Sequence, residues 1–181
     1  MYRTTTKDGE ERNVVTVTDQ HESIEGVVAT VVHDVVLVGG KVLEDTHDWY
    51  AQDADGNVWY LGEDTKSYEG GTMSTEGTWK AGVDGAEAGI IMLADPDVGD
   101  FYRQEHYPGH AEDQGEVLSL DAKVSGPFGS WTGVLETRDT TPVEPDVVEH
   151  KFYAPGVGVV QESEVTGGEG EHSVLVEMTK G

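Results

Sequence analysis

The chain has 181 residues, of which 36 are acidic and 11 basic, so its formal net charge at pH 7 is −25. Because a field of this sign repels phosphate groups, nucleic acid and anionic membranes are excluded as favourable partners. The absence of cysteine excludes disulfides and cysteine nucleophiles. Two interpretations of the charge remain open: it keeps the protein soluble in a salty or extracellular medium, or it binds cations.

Short strand-like runs separated by turn residues follow one another along the whole chain. We find no convincing long helix and no repeat of fixed period, and 24 glycines punctuate the runs. This pattern predicts an all-β fold: an antiparallel barrel, half-barrel or sandwich of about ten to twelve strands, in one domain over residues 1–181. The predicted strands lie at 2–6, 13–18, 27–38, 42–51, 57–63, 89–93, 101–107, 115–122, 131–137, 147–154, 158–165 and 171–178.

A dense cluster of aromatic and acidic residues lies between residues 44 and 65. Strand-like runs on both sides of Asp55 and Gly56 predict a β-hairpin with a tight Asp-Gly turn. This turn sets the expected cross-strand pairs: Asp48 with Glu63, Tyr50 with Leu61, and Gln52 with Trp59. Both faces of the hairpin therefore carry aromatic side chains close to the turn.

The same turn also resembles the beginning of a calcium-binding loop. Asp53 and Asp55 alternate with small residues ahead of Gly56, as in loops whose oxygens converge on a hard cation. An ordinary turn is the alternative, since the strand after Asn57 suits a hairpin better than a helix. Asp53 and Asp55 are therefore candidate calcium ligands.

Two histidines four residues apart mark the segment from 105 to 113. Together with nearby carboxylates they could bind a transition metal such as zinc, copper or iron. Pro108 and Gly109 predict a turn here, so a surface turn with solvated histidines is the alternative. The candidate ligands are His106, His110, Glu112 and Asp113, with a third histidine from His150, His47 or His33.

Two predicted strands place scarce basic residues beside acids and aromatic rings. Inward-facing charges on these strands would form a buried network that is costly unless it is paired or used for acid–base chemistry. Solvent-facing salt-bridge ladders are the alternative. The residues expected to share a face are Phe101, Arg103, Glu105 and Tyr107 on one strand, and Val147, Glu149, Lys151 and Tyr153 on the other. The candidate catalytic residues are Arg103, Glu105, Glu149 and Lys151.

The stretches 44–60, 79–86, 102–105 and 149–158 carry a resemblance to a known group of proteins. They resemble parts of uncharacterised, mostly secreted or lipid-anchored prokaryotic β-proteins that share a hairpin of the type DWYAQDxDGNVWY. The resemblance implies a secreted or cell-envelope protein, whose export signal and one further strand would precede Tyr2. It implies no activity, and the run at 106–110 departs from the group.

Two function hypotheses follow. The first is an exported barrel-like protein that binds a small apolar or aromatic molecule, with a cation as an additional ligand. The aromatic residues expected to hold the molecule are Trp49, Tyr50, Trp59, Tyr60, Tyr102 and Tyr153. The second is an enzyme that uses a divalent metal at His106 and His110 to activate water or oxygen, while Glu105 or Glu112 transfers protons. No serine nucleophile elbow and no dinucleotide-binding glycine motif is present. The oligomeric state is left open.

Overall fold

The fold was described from a computed structural model of the chain, which defines residues 1–7, 9–167 and 170–179. This part of the chain contains no helix long and apolar enough to cross a membrane. It forms fifteen strands: β1 (Tyr2–Thr6), β2 (Gly9–Ile24), β3 (Val27–Val38), β4 (Lys41–Gln52), β5 (Val58–Glu69), β6 (Thr72–Ser74), β7 (Trp79–Lys80), β8 (Glu87–Met92), β9 (Phe101–Arg103), β10 (Glu105–His106), β11 (Gln114–Ser125), β12 (Ser130–Thr140), β13 (Val148–Ala154), β14 (Gly158–Thr166) and β15 (His172–Leu175).

All fifteen strands belong to one sheet, in which every pairing is antiparallel. The strand order is β10-β8-β5-β4-β3-β2-β1-β15-β14-β13-β12-β11-β9, and β6 and β7 also pair with β5. Most neighbours are consecutive in sequence because tight turns connect them. Gly39 and Gly40, for example, have φ angles of 57° and 80°, which a type I′ turn between β3 and β4 requires.

The two ends of the sheet meet at a single residue. β9 pairs with β11 and β10 pairs with β8, yet only Gln104 separates β9 from β10. The backbone amides of Gln104 and Glu105 both donate to the carbonyl of Asp113, at 2.7 and 3.1 Å. The side chain of Gln104 is 1% exposed and donates to Asp139 at 3.1 Å. The sheet is therefore a nearly closed barrel, which protects its edge strands from pairing with other chains.

The apolar core consists of two separate clusters. One is built on β3, β4, β5 and β7 and contains Val31, Trp49, Tyr60, Leu61 and Trp79 among others. The second is built on the other half of the sheet and contains Val124, Val134, Ala154, Val160 and Leu175. Burial of these side chains supplies most of the driving force for folding. Polar residues occupy another part of the barrel interior.

The predicted all-β, antiparallel, barrel-like class is confirmed. The strand number is higher than the predicted ten to twelve because the short strands β6 and β7 have no clear pattern in the sequence, and because the strand predicted at 101–107 is divided into β9 and β10. The predicted continuous strand at 101–107 is wrong: the chain bends at Gln104. Phe101 is 60% exposed whereas Tyr102 is buried, and Glu105 begins a new strand.

The predicted hairpin at 42–63 is present, but part of its predicted register is wrong. Tyr50 pairs with Tyr60 and Gln52 with Val58, because residues 53–57 form a longer loop instead of a two-residue turn. The predicted pair of Asp48 and Glu63 is nevertheless found. A bulge at Gly62, whose φ is 120°, restores the register beyond Leu61.

Candidate functional site

The inner surface of the barrel carries a group of ionisable side chains, which we call the acidic interior. Strand alternation brings these side chains to one face, where β3, β4 and β5 form one wall and β12, β13 and β14 the other. In the β-ladders Asp48 lies opposite Glu63, Glu149 opposite Asp139, and Lys151 opposite Glu162. The acidic interior comprises Asp34, Asp48, Glu63, Glu105, Asp139, Glu149, Lys151 and Glu162.

Lys151 is the one basic residue of this group. Its ammonium lies 3.2 Å from Asp139 Oδ2 and 3.7 Å from Glu149 Oε2. Burial disfavours its charged form, but the attraction of Asp139 and Glu162 is stronger and holds the pKa of Lys151 well above its usual value. Lys151 is therefore a permanent cation, and Asp139, with a side chain only 6% exposed, is its principal partner.

A hydrogen-bonded chain links the acids on the opposite wall. The hydroxyl of Tyr60 lies 2.7 Å from Asp48 Oδ1 and 3.2 Å from Glu63 Oε2. Since a hydroxyl has one proton, Tyr60 can donate to only one of these two carboxyl oxygens at a time. Tyr50 stacks on the ring of Tyr60, with centroids 4.8 Å apart.

Several buried oxygens of the interior have no hydrogen-bond partner within the described chain. On β12 and the turn after it these are Thr137 Oγ1, Asp139 Oδ1 and Thr141 Oγ1. Across the barrel Asn13 Oδ1 and Asp34 Oδ1 are in the same situation, although Asn13 donates to the other oxygen of Asp34 at 3.2 Å. Buried acceptors of this kind are costly unless a donor reaches them. The interior is therefore suited to a molecule that donates hydrogen bonds.

Burial raises the pKa of five carboxyl groups in the acidic interior, Glu149 among them. It raises the pKa of Asp34 and of Asp48 to about 6, that of Glu105 to about 7 and that of Glu63 to about 8. Nearby carboxylates add to the effect: Asp113 acts on Glu105, and Glu105 acts on Glu63. At neutral pH these groups therefore hold or release protons readily, which suits them to acid–base chemistry or to exchange of a proton for a cation.

These pKa values predict that the protein is more stable in acid than at neutral pH. The folded chain holds the protons more tightly than the unfolded chain. The stabilisation is therefore complete below the ordinary carboxyl pKa and is lost as the pH rises through the folded values of about 6 to 8. We expect the free energy of unfolding, measured with urea in high salt, to fall by a few kcal/mol between about pH 4 and pH 8. Glu63→Gln should flatten this slope, whereas the exposed Glu76→Gln should not; a flat wild-type profile would contradict the assignment.

Two cavities open onto Glu149. The first, of about 180 Å³, is lined by five carboxylates: Glu11, Glu149, Glu162, Glu164 and Glu171. The second, of about 200 Å³, is lined by the carboxylates Asp113, Asp139, Glu144 and Glu149 and by the hydroxyls of Thr140 and Thr141. Neither cavity has a basic residue among its described lining side chains. We refer to them as the first and second acidic cavities.

The residues predicted as catalytic or aromatic are divided between the two faces of the sheet. Glu105, Glu149 and Lys151 lie in the interior, together with the side chains of Tyr50, Tyr60, Tyr102 and Tyr153. Arg103 is exposed and contacts His106 at 3.2 Å. Trp49 and Trp59 alternate with Tyr50 and Tyr60 along β4 and β5 and lie on the opposite face of the sheet, where Trp49 is buried in the first apolar cluster and Trp59 packs against that cluster. Lys80 lies over Trp49, 4.4 Å from its ring centre, and the indole of Trp59 donates to Asp53.

The predicted transition-metal ligands do not converge. The two ring nitrogens of His106 contact Glu87 at 2.9 Å and Arg103 at 3.2 Å. His110 stacks on Tyr107, and Glu112 accepts a hydrogen bond from the amide of Gly109. Asp113 lines the second acidic cavity, while His150 lies on the outer face of β13 and contacts Glu136 at 2.9 Å. A metal held by His106 and His110 together has no support in this geometry.

Asp53 organises the hairpin loop through its carboxylate. Oδ1 accepts hydrogen bonds from the amides of Asp55, Gly56 and Asn57, and Oδ2 accepts from the side chains of Asn57 and Trp59. The side-chain hydrogen bonds from Trp59 and Asn57 lower the pKa of Asp53 to about 2. The ordinary turn is therefore sufficient to explain this residue, and a calcium ion would have to displace these donors. Asp55 is exposed in the same loop.

Sequence reasoning missed several interior residues, chiefly Asp34, Asp139 and Glu162. The sequence did contain a signal for Asp34, because this residue interrupts the apolar run of β3. Asp139 and Glu162 had none, since they belong to strands in which charged residues also occur at outward positions.

The barrel-like antiparallel sheet is a class of fold that is also found in a solved structure. Over 99% of this chain and 93% of the other, the fold matches that of a predicted exported protein with a YmcC-like fold from Bacteroides fragilis, with a TM-score of 0.57 and 18% sequence identity. At this identity the likeness concerns the fold alone. No protein-family model and no curated protein sequence matches the chain.

Proposed function

We propose that the chain is an exported binding protein that holds a small organic cation against the carboxylates of its acidic interior. One observation carries this proposal: among the residues that the structure describes, the seven carboxyl groups of the acidic interior face one cation, Lys151. The ammonium of Lys151 pairs with Asp139 and Glu149, so the acids of the opposite wall have no basic partner in the described part of the chain. These acids are Asp34, Asp48 and Glu63.

An unbalanced group of buried carboxylates must take up protons or attract cations. A ligand with N–H donors would supply the cation, and from the second acidic cavity it would reach Asp139 and Thr141, which line that cavity and have oxygens without a hydrogen-bond partner in the described chain. The two acidic cavities, of about 180 and 200 Å³, are smaller than pockets for drug-sized molecules, which favours a compact ammonium compound.

The interior tyrosines suit the same ligand. Tyr50 and Tyr60 present stacked rings, and an ammonium group beside an aromatic face gains a cation–π attraction. The proposal therefore modifies the hypothesis of an apolar or aromatic ligand, because only the tyrosines of the predicted aromatic set share the interior with the acids. Export is supported by the sequence resemblance and by the exported protein that shares the fold. Catalytic roles for Glu105, Glu149 and Lys151 stay predictions.

Titration calorimetry with three matched four-carbon probes tests the proposal: 1,4-diaminobutane, the neutral 1,4-butanediol and the anionic butanedioate. We expect only the diammonium probe to bind and to raise the melting temperature. Its binding at pH 7 should release protons, detected as a dependence of the apparent enthalpy on the buffer, because the cation lowers the pKa values of Glu63 and Glu105.

A matched pair of variants locates the site. Glu149→Gln, which alters both acidic cavities, should weaken binding of the diammonium probe at least about tenfold, since each charge-assisted contact contributes 1.5–3 kcal/mol. Glu76→Gln, an exposed change elsewhere, should leave the affinity unaltered. Absence of binding by the diammonium probe, or equal affinity in the two variants, would overturn the proposal.

A further inference from the structure

Two histidines and an aspartate meet on the outer face of the sheet, where β3 and β4 pair. His33 lies directly opposite His47 in the ladder, and Asp45 lies two pairs further along, opposite Val35. The imidazole rings are stacked with their centres 4.4 Å apart and their planes 15° from parallel. Asp45 Oδ1 is 3.0 Å from His33 Nε2 and 3.8 Å from His47 Nδ1. One ligand atom of each residue therefore lies within 4.8 Å of the other two.

This cluster is separate from the acidic interior. Asp34, Thr46 and Asp48 alternate with the three residues along the same strands and face inward. The side chains of His33, Asp45 and His47 are about one-third exposed, at 36%, 35% and 36%, so a solvated ion can reach them. The sequence offered His33 and His47 only as alternative third ligands for a site at His106 and His110, and Asp45 was not predicted as a ligand.

The distances suit a tetrahedral metal ion. With bonds of about 2.0–2.1 Å, neighbouring ligand atoms of such an ion lie roughly 3.4 Å apart, which is within the range found here. Small rotations of the two imidazoles are enough to direct their nitrogens at a common point. The paired strands hold the three Cα positions in place, so little ordering is required for binding.

We propose that His33, Asp45 and His47 form a binding site for a divalent late transition-metal ion, with Zn²⁺, Cu²⁺ and Ni²⁺ as the ions that imidazole nitrogens favour. Carboxylate clusters elsewhere on this acidic protein select hard ions such as Mg²⁺ and Ca²⁺, whereas two imidazoles do not. Three protein ligands leave a fourth coordination position for water or a further donor. Asp64 on β5 lies opposite His47 in the ladder and is the neighbouring carboxylate that could supply this fourth ligand.

The test uses protein without a histidine tag, titrated with Zn²⁺ in the presence of excess Mg²⁺ to occupy surface carboxylates. We expect one Zn²⁺ per chain. Co²⁺ bound at the same site should show the visible absorption bands of a tetrahedral complex. His33→Gln and His47→Gln should each weaken binding at least about 100-fold, because loss of even an outer-shell partner costs 10–100-fold. His110→Gln removes an imidazole that lies in a turn outside the cluster, so this variant should bind Zn²⁺ like the wild type.

Circular dichroism of each variant establishes that the sheet is intact, and a histidine that is about one-third exposed is not needed to fill the core. Binding that survives in the double variant His33→Gln/His47→Gln would overturn the proposal. So would loss of binding in His110→Gln, or the absence of any Zn²⁺ binding that resists Mg²⁺. Asp64→Asn decides the fourth ligand: a loss of affinity assigns it to Asp64, and unchanged affinity assigns it to solvent.

Discussion

Replacing Lys151 by methionine is expected to destabilise the protein by about 3–5 kcal/mol, which is typical for removal of one partner of a buried ion pair. The substitution keeps the length of the side chain but removes the cation 3.2 Å from Asp139 Oδ2. Asp139 would then retain Gln104 as a donor but would lack a balancing charge. The urea midpoint at pH 7 should fall accordingly.

The loss should depend on pH. Without Lys151 the nearby acids hold protons more tightly in the folded chain, so the deficit relative to the wild type should be smaller at acid pH. Asp139→Asn in the same chain should recover part of the stability, since it removes the uncompensated charge. Lys66→Met is the matched control: its ion pair with Asp64, at 3.7 Å, is 39% and 48% exposed, and we expect a change below about 1 kcal/mol. Equal effects of the two lysine substitutions would refute the buried-pair assignment.

The second large effect is expected from Gly89→Ala, with a loss of more than about 3 kcal/mol. Gly89 lies on β8 where the two ends of the sheet meet. A Cβ atom there would stand 2.8 Å from the carbonyl oxygen of Arg103 and still closer to the carbonyl group of Gln104. These are backbone atoms, so no side chain can move aside. Relief of the clash requires the closure at Gln104 to open.

Gly126→Ala provides the control for this substitution. Gly126 has no atom within 4 Å of the added methyl position, and its φ lies outside the left-handed region. Its replacement should change the melting temperature little. Hydrogen exchange gives a second measurement: in Gly89→Ala the amides of Gln104 and Glu105 should lose protection first, because they hold the closure through Asp113. Retained protection at both amides would show that the barrel closes without this contact.

The sequence was sufficient to predict the class of fold because turn residues recur between short strand-like runs. It was insufficient to tell the inner face of the sheet from the outer one. Apolar residues normally mark the inside, but here Glu149, Lys151 and Tyr153 face inward on β13 while His150 and Phe152 face outward. Since both faces of the strand mix polar and apolar residues, alternation alone does not show which face points into the barrel.

Strand register is the second feature that the sequence did not reveal, and the cluster of His33, Asp45 and His47 illustrates it. A two-residue turn at Gly39 and Gly40 would by itself place His33 opposite Thr46. An irregularity between Val36 and Leu37 shifts the ladder by one residue and brings His33 opposite His47 instead. A bulge without a distinctive residue leaves no sign in a single sequence, so this cluster could be found only from the structure.

The pairing of β1 with β15 has a consequence for the order in which the chain folds. Thr4 and Ser173, which are 169 residues apart, are hydrogen-bonded neighbours in the sheet. Ladders formed by tight turns can assemble as soon as their residues are available, whereas this one has to wait for the last strand and must overcome the entropy of closing a very long loop. A chain that emerges from its N-terminus would therefore keep the free edges of β1 and β14 open until β15 is available. Those two edges are where an incompletely folded chain is most exposed to pairing with a second copy.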